Sequence, residues 1–402
     1  MKVIMHPCSL SGEVDAVSSK SMAHRLFICA ALSQNRTVIN LSKTNKDIEA
    51  TESCVRALGG EIVKKRKTYT VTPISMENVK KSRIYDCGES GSTLRFLFPI
   101  VCALGAGGTF IGEGRLPNRP IKELTDIITG CKISGESLPI TVDGKMNYGE
   151  FRIAGNVSSQ YISGLLFALP LLEGDSKIIL TSPLESASYV EMTLGALKLF
   201  GVTAEKTEYG FYVKGNQKYI SPEEVTVEGD WSNSAFFITA TAIGHSVKVN
   251  NLNENSAQGD RVICKVVEEV MQGGANIDAS DIPDLVPILA VASCYTKGRT
   301  VIKNASRLRL KESDRLNSVY TVLSTLGANI QETADGLIID GNGKLKGGEV
   351  DGFNDHRIVM SAVIASTLAD GDTIINGAEA VNKSYPSFFD DLKKLGGKFD
   401  VV

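Results

Sequence analysis

Leu58-Gly59-Gly60-Glu61-Ile62 reads as the end of a helix, a left-handed reversal and the start of a strand, because glycine reaches positive φ without the steric cost that other residues meet. The same signature returns as Ile128-Thr129-Gly130-Cys131-Lys132-Ile133, Leu199-Phe200-Gly201-Val202, Gln272-Gly273-Gly274-Ala275-Asn276-Ile277, Leu326-Gly327-Ala328-Asn329-Ile330 and Leu395-Gly396-Gly397-Lys398-Phe399. With Gly60, Gly130, Gly201, Gly274, Gly327 and Gly397 as markers, the interval is about 70 residues throughout, except for one of about 50. Six helix-Gly-strand units therefore account for the chain.

Each unit has room for several elements. In the first, Thr37 to Leu41 is strand-like, Asp47 to Leu58 has a helical period, and Thr68 to Val71 is strand-like again. A second helix is expected from near Ser92, with Leu94, Leu97, Phe98, Val101 and Cys102 as its apolar face and Pro99 in its early turns. Strands near Gly108 to Ile111 and Phe151 to Ala154, and an apolar helix from Ser158 to Leu171, follow. Lys177 to Leu180 then reads as a strand, and Tyr189 to Phe200 as a helix with Met192, Leu194, Leu197 and Leu199 on its buried side. The pattern resets at Val225 to Asp230, ahead of Trp231-Ser232-Asn233-Ser234 and an apolar helix from Ala235 to Ile243, so three units precede this point and three follow. The strand-like Lys2 to Met5 is left over at the start and is assigned to the second half. The expectation is an α/β (α+β) chain of two similar domains, one of residues 1–18 plus 229–402 and one of 19–228, with an active site in the cleft between them.

Composition narrows the function. A net charge of -3 with 22% charged residues gives no broad basic face for nucleic acid. The apolar runs Phe96 to Ala106 and Leu285 to Ala292 are too short to cross a bilayer, and no secretory h-region is evident, so a cytoplasmic protein that needs no membrane is expected. The 8 cysteines lie scattered without a C-x-x-C pair, as reduced thiols would, and 4 histidines in no close cluster give no metal site.

Chemistry concentrates at the junctions that precede apolar helices. Lys311-Glu312-Ser313-Asp314-Arg315 leads into Leu316, Val319, Val322, Leu323 and Leu326, with Ser313 or Asp314 placed to cap the helix and Lys311 and Arg315 beside its N-terminus. Lys20-Ser21-Met22-Ala23-His24-Arg25, Gly88-Glu89-Ser90-Gly91-Ser92-Thr93-Leu94-Arg95, Ser158-Ser159-Gln160 and Asn354-Asp355-His356-Arg357 are junctions of the same kind. Small and hydroxyl residues let a ligand approach backbone N–H groups, and Lys and Arg add charge-assisted bonds, so together they describe a site for a small molecule with several negative groups. Taken singly, each junction reads equally as a capped polar turn. Asp284, in Ile282-Pro283-Asp284-Leu285-Val286-Pro287, is embedded among apolar residues and has either a capping role or a tuned proton affinity.

In this order and at these separations, the motifs resemble the 5-enolpyruvylshikimate-3-phosphate synthase family essentially end to end. The carriers are Ser19-Lys20-Ser21 with Arg25, Gly91 with Arg95, Arg115 with Arg119-Pro120, Ser158-Ser159-Gln160, Ser186 with Tyr189, Glu228-Gly229-Asp230, Pro283-Asp284-Leu285, Lys311 to Arg315, Asp355-His356-Arg357 and Lys383-Ser384-Tyr385-Pro386. The resemblance implies repeated βαβαββ-type units, three per domain, in an inside-out α/β barrel. It also implies transfer of the enolpyruvyl group of phosphoenolpyruvate to the 5-hydroxyl of shikimate 3-phosphate, by addition and elimination through a tetrahedral intermediate. Shikimate 3-phosphate would be held by Lys20, Ser21, Arg25, Ser158, Ser159, Gln160, Ser186, Tyr189, Asp284 and Lys311. Phosphoenolpyruvate would be held by Lys20, Gly91, Arg115, Gln160, Arg315, Arg357 and Lys383. Asp284 and Glu312 would move protons, with Lys20 or Lys311 as a donor, and burial in a dry cleft is expected to raise the proton affinity of the carboxylates. No cofactor or metal is implied, and a monomer acting on small anionic substrates is expected.

Two positions depart from the family pattern. Glu89 stands where many relatives carry Asn, and Phe96 follows Arg95 where a proline is common, so the response to the inhibitor glyphosate does not follow from the resemblance. A related enolpyruvyltransferase acting on a UDP-linked amino sugar is disfavoured because Arg115-Leu116-Pro117-Asn118-Arg119 has no Cys. An RNA-end-processing enzyme of similar repeats is disfavoured by charge, and a phosphometabolite-binding protein without turnover by the presence of both candidate acids.

Overall fold

The computed structural model describes residues 1–75 and 83–402. The chain forms two compact units, Met1–Val17 with Gly229–Val402, and Ser18–Glu228. The ends of the inserted unit lie side by side, since the Ser19 N–H donates to the Glu228 carbonyl at 2.8 Å. The flanks of the other unit are joined in the same way, by Asp230 N–H on the Val17 carbonyl at 2.8 Å.

Within the inserted unit one pattern recurs. Ile84–Asp86 pairs in parallel with Gly108–Ile111, which pairs antiparallel with Ile140–Gly144, which pairs antiparallel with Cys131–Ser134. A parallel pair needs a crossover, and the helix Gly91–Leu104 supplies it. Glu150–Ile153, Ser176–Leu180, Gly210–Val213 and Glu205–Thr207 repeat the order, with Ser159–Ala168 as crossover. The third sheet is permuted: Thr37–Asn40 takes its parallel partner, Glu224–Thr226, from the end of the unit.

The other unit repeats the pattern as Asn276–Asp278, Lys297–Lys303, Leu337–Asn342 and Asn329–Glu332. A further sheet takes the N-terminal Lys2–His6 between Asp370–Asn376 and Lys398–Val401. Ser11–Asp15 and Ser246–Asn250 form a two-stranded sheet. Among the described residues all the sheets are separate open strips, and none closes on itself. The architecture is thus two-domain α/β with repeated units.

The crossover helices are apolar on every side, which places a helix in the interior. Lys20–Leu32, Gly91–Leu104 and Ser159–Ala168 bury nearly every residue after their first turn in one unit; Val286–Tyr295 and His356–Ser366 do so in the other, where Trp231–Ala242 buries most of its residues. Their polar starts are therefore fixed by core packing. Side chains cap most of them: Ser19, Ser90, Ser158, Asp230 and Asp355 each accept a backbone N–H of the following turn.

Several local expectations change. At two of the three doubled glycines the left-handed residue is the first, Gly59 or Gly396, whereas Gly60 and Gly397 are needed for close packing, because a Cβ would meet Val55 Cγ1 at 2.9 Å or Leu392 Cγ at 2.6 Å; Gly273 and Gly274 both have positive φ. Leu199 is exposed, not buried, because it lies on the outer face of Ala187–Leu199. Pro99 falls deep in Gly91–Leu104, not in its early turns, since the helix already starts at Gly91. It has no N–H to return to the Arg95 carbonyl, and that carbonyl lies against the Cα of Gly164 on the neighbouring helix, where a Cβ would clash.

Candidate active site

In the unit of Met1–Val17 and Gly229–Val402, the start of one interior helix carries an acid and the start of another carries a guanidinium. Asp284 sits in a 3-10 turn, Pro283–Leu285, that feeds Val286–Tyr295. Its carboxylate accepts from Arg315 Nη1 at 2.7 Å and Arg357 Nη2 at 3.0 Å, and Lys311 Nζ lies 3.9 Å away. Arg315 is almost fully buried and spreads its fork over further carboxylates, with Nε on Asp355 Oδ2 at 2.7 Å and Nη2 on Glu312 Oε2 at 2.7 Å. Asp355 is completely buried, accepts from Ser313 Oγ at 3.0 Å, and caps its own helix through the Arg357 N–H at 3.0 Å. Asp314 caps Arg315–Thr325 and is gripped from behind by Arg309 Nη1 at 3.0 Å.

Three cations thus face three carboxylates, and a buried charge is tolerated only when paired in this way. Burial pushes the Asp284 carboxyl up, but Arg357, Lys311 and Arg315 outweigh it and hold the group well below the usual carboxylate range. This reverses the expected raised proton affinity for Asp284: burial was legible in the sequence, but the guanidinium partners were not. Burial weakens and the carboxylates of Asp355, Glu312 and Asp284 strengthen the hold of Arg315 on its proton, and the carboxylates win. Nearby, Phe353 and Asn354 both take left-handed backbone conformations, which are costly for residues with a Cβ. The result turns the Asn354 carbonyl onto the buried Lys383 Nζ, at 2.6 Å.

In the unit Ser18–Glu228 the helix starts gather a second set. Lys20 opens its helix and pairs with Asp47 Oδ2 at 2.8 Å, and both side chains are largely buried. Gln160 joins two helices: its Oε1 accepts from Arg95 Nη1 at 2.8 Å and its Nε2 donates to Ser92 Oγ at 2.9 Å. Arg95 Nη2 also donates to the Pro120 carbonyl at 3.0 Å. Gly91 faces two guanidinium groups at once, since a Cβ there would lie 2.7 Å from Arg95 Nη1 and 2.9 Å from Arg119 Nη1. A bare Cα is what that convergence requires. Beneath it runs a buried chain from His24 Nδ1 to Thr51 Oγ1 at 2.7 Å, on to Thr93 Oγ1 at 2.6 Å, and to the capping Ser90 Oγ at 2.8 Å.

Arg25 is buried and its donors serve the fold, with Nε on Thr193 Oγ1 at 2.9 Å, Nη1 on the Ser21 carbonyl at 2.6 Å and Nη2 on the Tyr189 carbonyl at 2.7 Å. It therefore positions Ser21 and Tyr189, and burial pushes it down to about 10. Its guanidinium lies 5.1 Å from the centre of the Phe96 ring, so the residue that departs from the family pattern supports an arginine. Ser158 caps its helix ahead of Ser159, and Ser186 takes a left-handed conformation before the turn that carries Tyr189. Glu89 lies against Gly114, at the edge of the arginine loop.

The two arginines of this loop differ in burial. Arg115 is exposed at the start of the short turn Leu116–Asn118, whereas Arg119, at its other end, is buried and aimed at Gly91. The proline after Arg119 explains the choice, because the Pro120 carbonyl is fixed by Arg95 and the Tyr161 hydroxyl. Asp47 escaped the sequence reading, while Arg119 and Asp355 entered it only inside the motifs Arg119-Pro120 and Asp355-His356-Arg357, with no role of their own. Only Arg119 carried a usable signal, the Arg-Pro pair itself.

The comparisons with known proteins agree with these motifs. The family model described as EPSP synthase (3-phosphoshikimate 1-carboxyvinyltransferase) matches residues 4–392. A 3-phosphoshikimate 1-carboxyvinyltransferase of Clostridium acetobutylicum is 43% identical over 419 residues, covering 98% of this chain and 97% of the relative. Another, from Clostridium novyi, is 45% identical over 423 residues, with 98% and 97% covered. Among solved structures, an EPSP synthase from Acinetobacter baumannii superposes with a TM-score of 0.82 at 23% identity, over 100% of this chain and 99% of that one. The enolpyruvyl transferase NikO from Streptomyces tendae gives 0.78 at 16% identity, over 99% and 98%. The last two speak to fold alone.

Proposed function

Because the chain belongs to the EPSP synthase family of 3-phosphoshikimate 1-carboxyvinyltransferases, we propose specific roles for its residues in that reaction. The enzyme transfers the enolpyruvyl group of phosphoenolpyruvate to the 5-hydroxyl of shikimate 3-phosphate, releasing phosphate, in the shikimate pathway that leads to aromatic amino acids. Both sets of groups serve the same pair of substrates. Each unit is read as an inside-out arrangement, with interior helices behind an outer ring of sheets.

Lys20, Ser21, Ser158, Ser159, Gln160, Ser186, Tyr189, Asp284 and Lys311 hold shikimate 3-phosphate, with Arg25 fixing Ser21 and Tyr189. Lys20, Gly91, Gln160, Arg315, Arg357 and Lys383 hold phosphoenolpyruvate, and Arg119 takes the place expected of Arg115. The observation that carries this reading is the salt-bridged cage around Asp284. At rest the guanidinium groups of Arg315 and Arg357 are occupied by Asp284, Glu312 and Asp355. The carboxylate of phosphoenolpyruvate competes for the same two forks, and each bond it takes from Asp284 raises the proton affinity of that carboxyl. Substrate binding thus turns a weak base into one able to accept the 5-hydroxyl proton. Glu312, released from Arg315, takes up a proton from solvent and delivers it to the methylene carbon. Elimination reverses these transfers in part and expels phosphate. A monomer in the cytoplasm suits these small anionic substrates.

Phosphate release from phosphoenolpyruvate tests the assignment, with shikimate 3-phosphate and a UDP-linked amino sugar as rival acceptors. Release with shikimate 3-phosphate alone is expected. Release with the sugar nucleotide alone would overturn the acceptor-site residues, and binding without release would overturn the roles of Asp284 and Glu312.

A further inference from the structure

The hydroxyl chain beneath the Gly91 turn ends on a side chain that has no part in the reaction as described. His24 lies on Lys20–Leu32 and is fully buried. Its Nδ1 bonds to Thr51 Oγ1 at 2.7 Å, while its Nε2 is buried and has no hydrogen-bond partner among the described residues. The imidazole meets the Phe96 ring at nearly a right angle, with centres 6.4 Å apart. Burial and the charges of Lys20 and Arg25 hold it well below the usual histidine range, so it is neutral. A buried ring nitrogen without a partner costs free energy that an apolar side chain at the same depth avoids, so packing alone does not account for a histidine. What it supplies is the bond to Thr51.

We propose that His24 is a positioning residue for phosphoenolpyruvate, which holds the turn Ser90-Gly91-Ser92 in its binding form through Thr51 and Thr93. The proposal rests on the reading that Gly91 holds that substrate. Three helices meet in the chain: His24 is on Lys20–Leu32, Thr51 on Lys46–Ala57, and Thr93 in the first turn of Gly91–Leu104. Thr51 Oγ1 and Thr93 Oγ1 are 2.6 Å apart, and Thr93 gives Ser90 Oγ both of its donors, the hydroxyl at 2.8 Å and the backbone N–H at 3.2 Å. The Ser90 N–H is itself taken by the Cys87 carbonyl at 2.9 Å. A helix start leaves its first N–H groups without internal partners; with those of Ser90 and Thr93 used, the groups of Gly91 and Ser92 are kept for an anion. The same turn orients cations, since Ser92 Oγ holds Gln160, Gln160 holds Arg95, and Gly91 faces Arg95 and Arg119.

Thr93 is where the chain can slip. Its hydroxyl has one proton and a second acceptor in reach, the Asp47 carbonyl at 3.3 Å. The bond from Thr51 keeps that proton on Ser90, and Thr51 is kept in place because the imidazole Nδ1, able to donate or accept, takes its other side. Without the ring the proton is free to turn to Asp47, the cap on the helix loosens, and the turn loses the geometry that the anion requires.

The test is phosphate release by the intact protein, with each substrate varied while the other is saturating, for wild type, H24F, H24N, T51V and G91A. H24F and T51V are expected to raise KM for phosphoenolpyruvate by about three- to tenfold, the size of one neutral hydrogen bond, and to leave KM for shikimate 3-phosphate within about twofold. H24N is expected to restore KM to within about twofold of wild type, because its carboxamide offers a donor or an acceptor about where Nδ1 stands. A purely structural histidine predicts otherwise: both KM values rising together in T51V, or H24N no better than H24F, overturns the proposal. H24F and T51V binding phosphoenolpyruvate normally while G91A binds it poorly overturns the role of His24 and leaves Gly91 in place. G91A with a normal KM overturns the reading on which the proposal rests. Should H24F not fold, the nearly isosteric T51V carries the same comparison, and an unchanged KM for phosphoenolpyruvate in it rules the chain out.

Discussion

Asp284 and Asp260 are carboxyls of one unit and are driven in opposite directions. Cations surround the first and hold its proton affinity down, while burial and a neighbouring negative charge raise the second. The stability consequences have opposite signs. The depressed Asp284 stabilises the fold at neutral pH and loses that contribution as pH falls below about 4, through its folded value. The raised Asp260 contributes fully below about pH 4, and its contribution is lost as pH rises through about 7. Urea unfolding of D260N and wild type should therefore diverge between those limits, with the variant gaining on the order of 1–3 kcal/mol by pH 7. D284N should reduce kcat by about 10²- to 10⁴-fold in a phosphate-release assay, because it removes the base while Asn keeps the shape. R119A should raise KM for phosphoenolpyruvate by about tenfold or more, the size of a lost charge-assisted bond, while the exposed R115A changes it by less than about twofold. Asp284 was legible in the sequence because an acid among Ile, Pro and Leu stands out. Asp260 was not, since its partners are contributed by distant helices. Arg119 lost to Arg115 because two arginines in one loop differ only in which side of a turn they take.

The functional residues sit where they do because the helices that carry them are interior ones with capped, polar starts. Close approach is the second condition. Gly164 lets Ser159–Ala168 touch the Arg95 carbonyl, the same carbonyl that Pro99 leaves without a helical partner. A methyl group there has no room, so G164A should force the helices apart. The expected cost is about 1–3 kcal/mol in thermal or urea unfolding, together with a raised KM for phosphoenolpyruvate from the strained Arg95–Gln160 bond. An unchanged KM in a destabilised variant would mean that the helix spacing does not transmit to the site. The helices and their caps were legible in the sequence from period and from Ser, Asn and Asp placement. The depth of Pro99 and the exposure of Leu199 were not, because each depends on which neighbour covers a face.

At the scale of the molecule, the inserted unit has a core of its own, from Ala23 through Val227, and its ends meet through Ser19 and Glu228. Ser18–Glu228 expressed alone should fold, with a cooperative unfolding transition followed by circular dichroism; a fragment that melts without cooperativity would show the core to be insufficient. Among the described residues no helix is long and apolar enough to cross a membrane.

The sequence alone determined the number of repeats, the interior helices and the family, because glycine reversals, periodic apolar runs and motif order are local signals written along the chain. Only the tertiary structure decided which strand completes which sheet, that Arg119 and not Arg115 reaches Gly91, and that Asp284 rests as a salt-bridged anion. Those outcomes depend on charges and backbone atoms far apart in sequence, whose energies exist only once packing has fixed their distances.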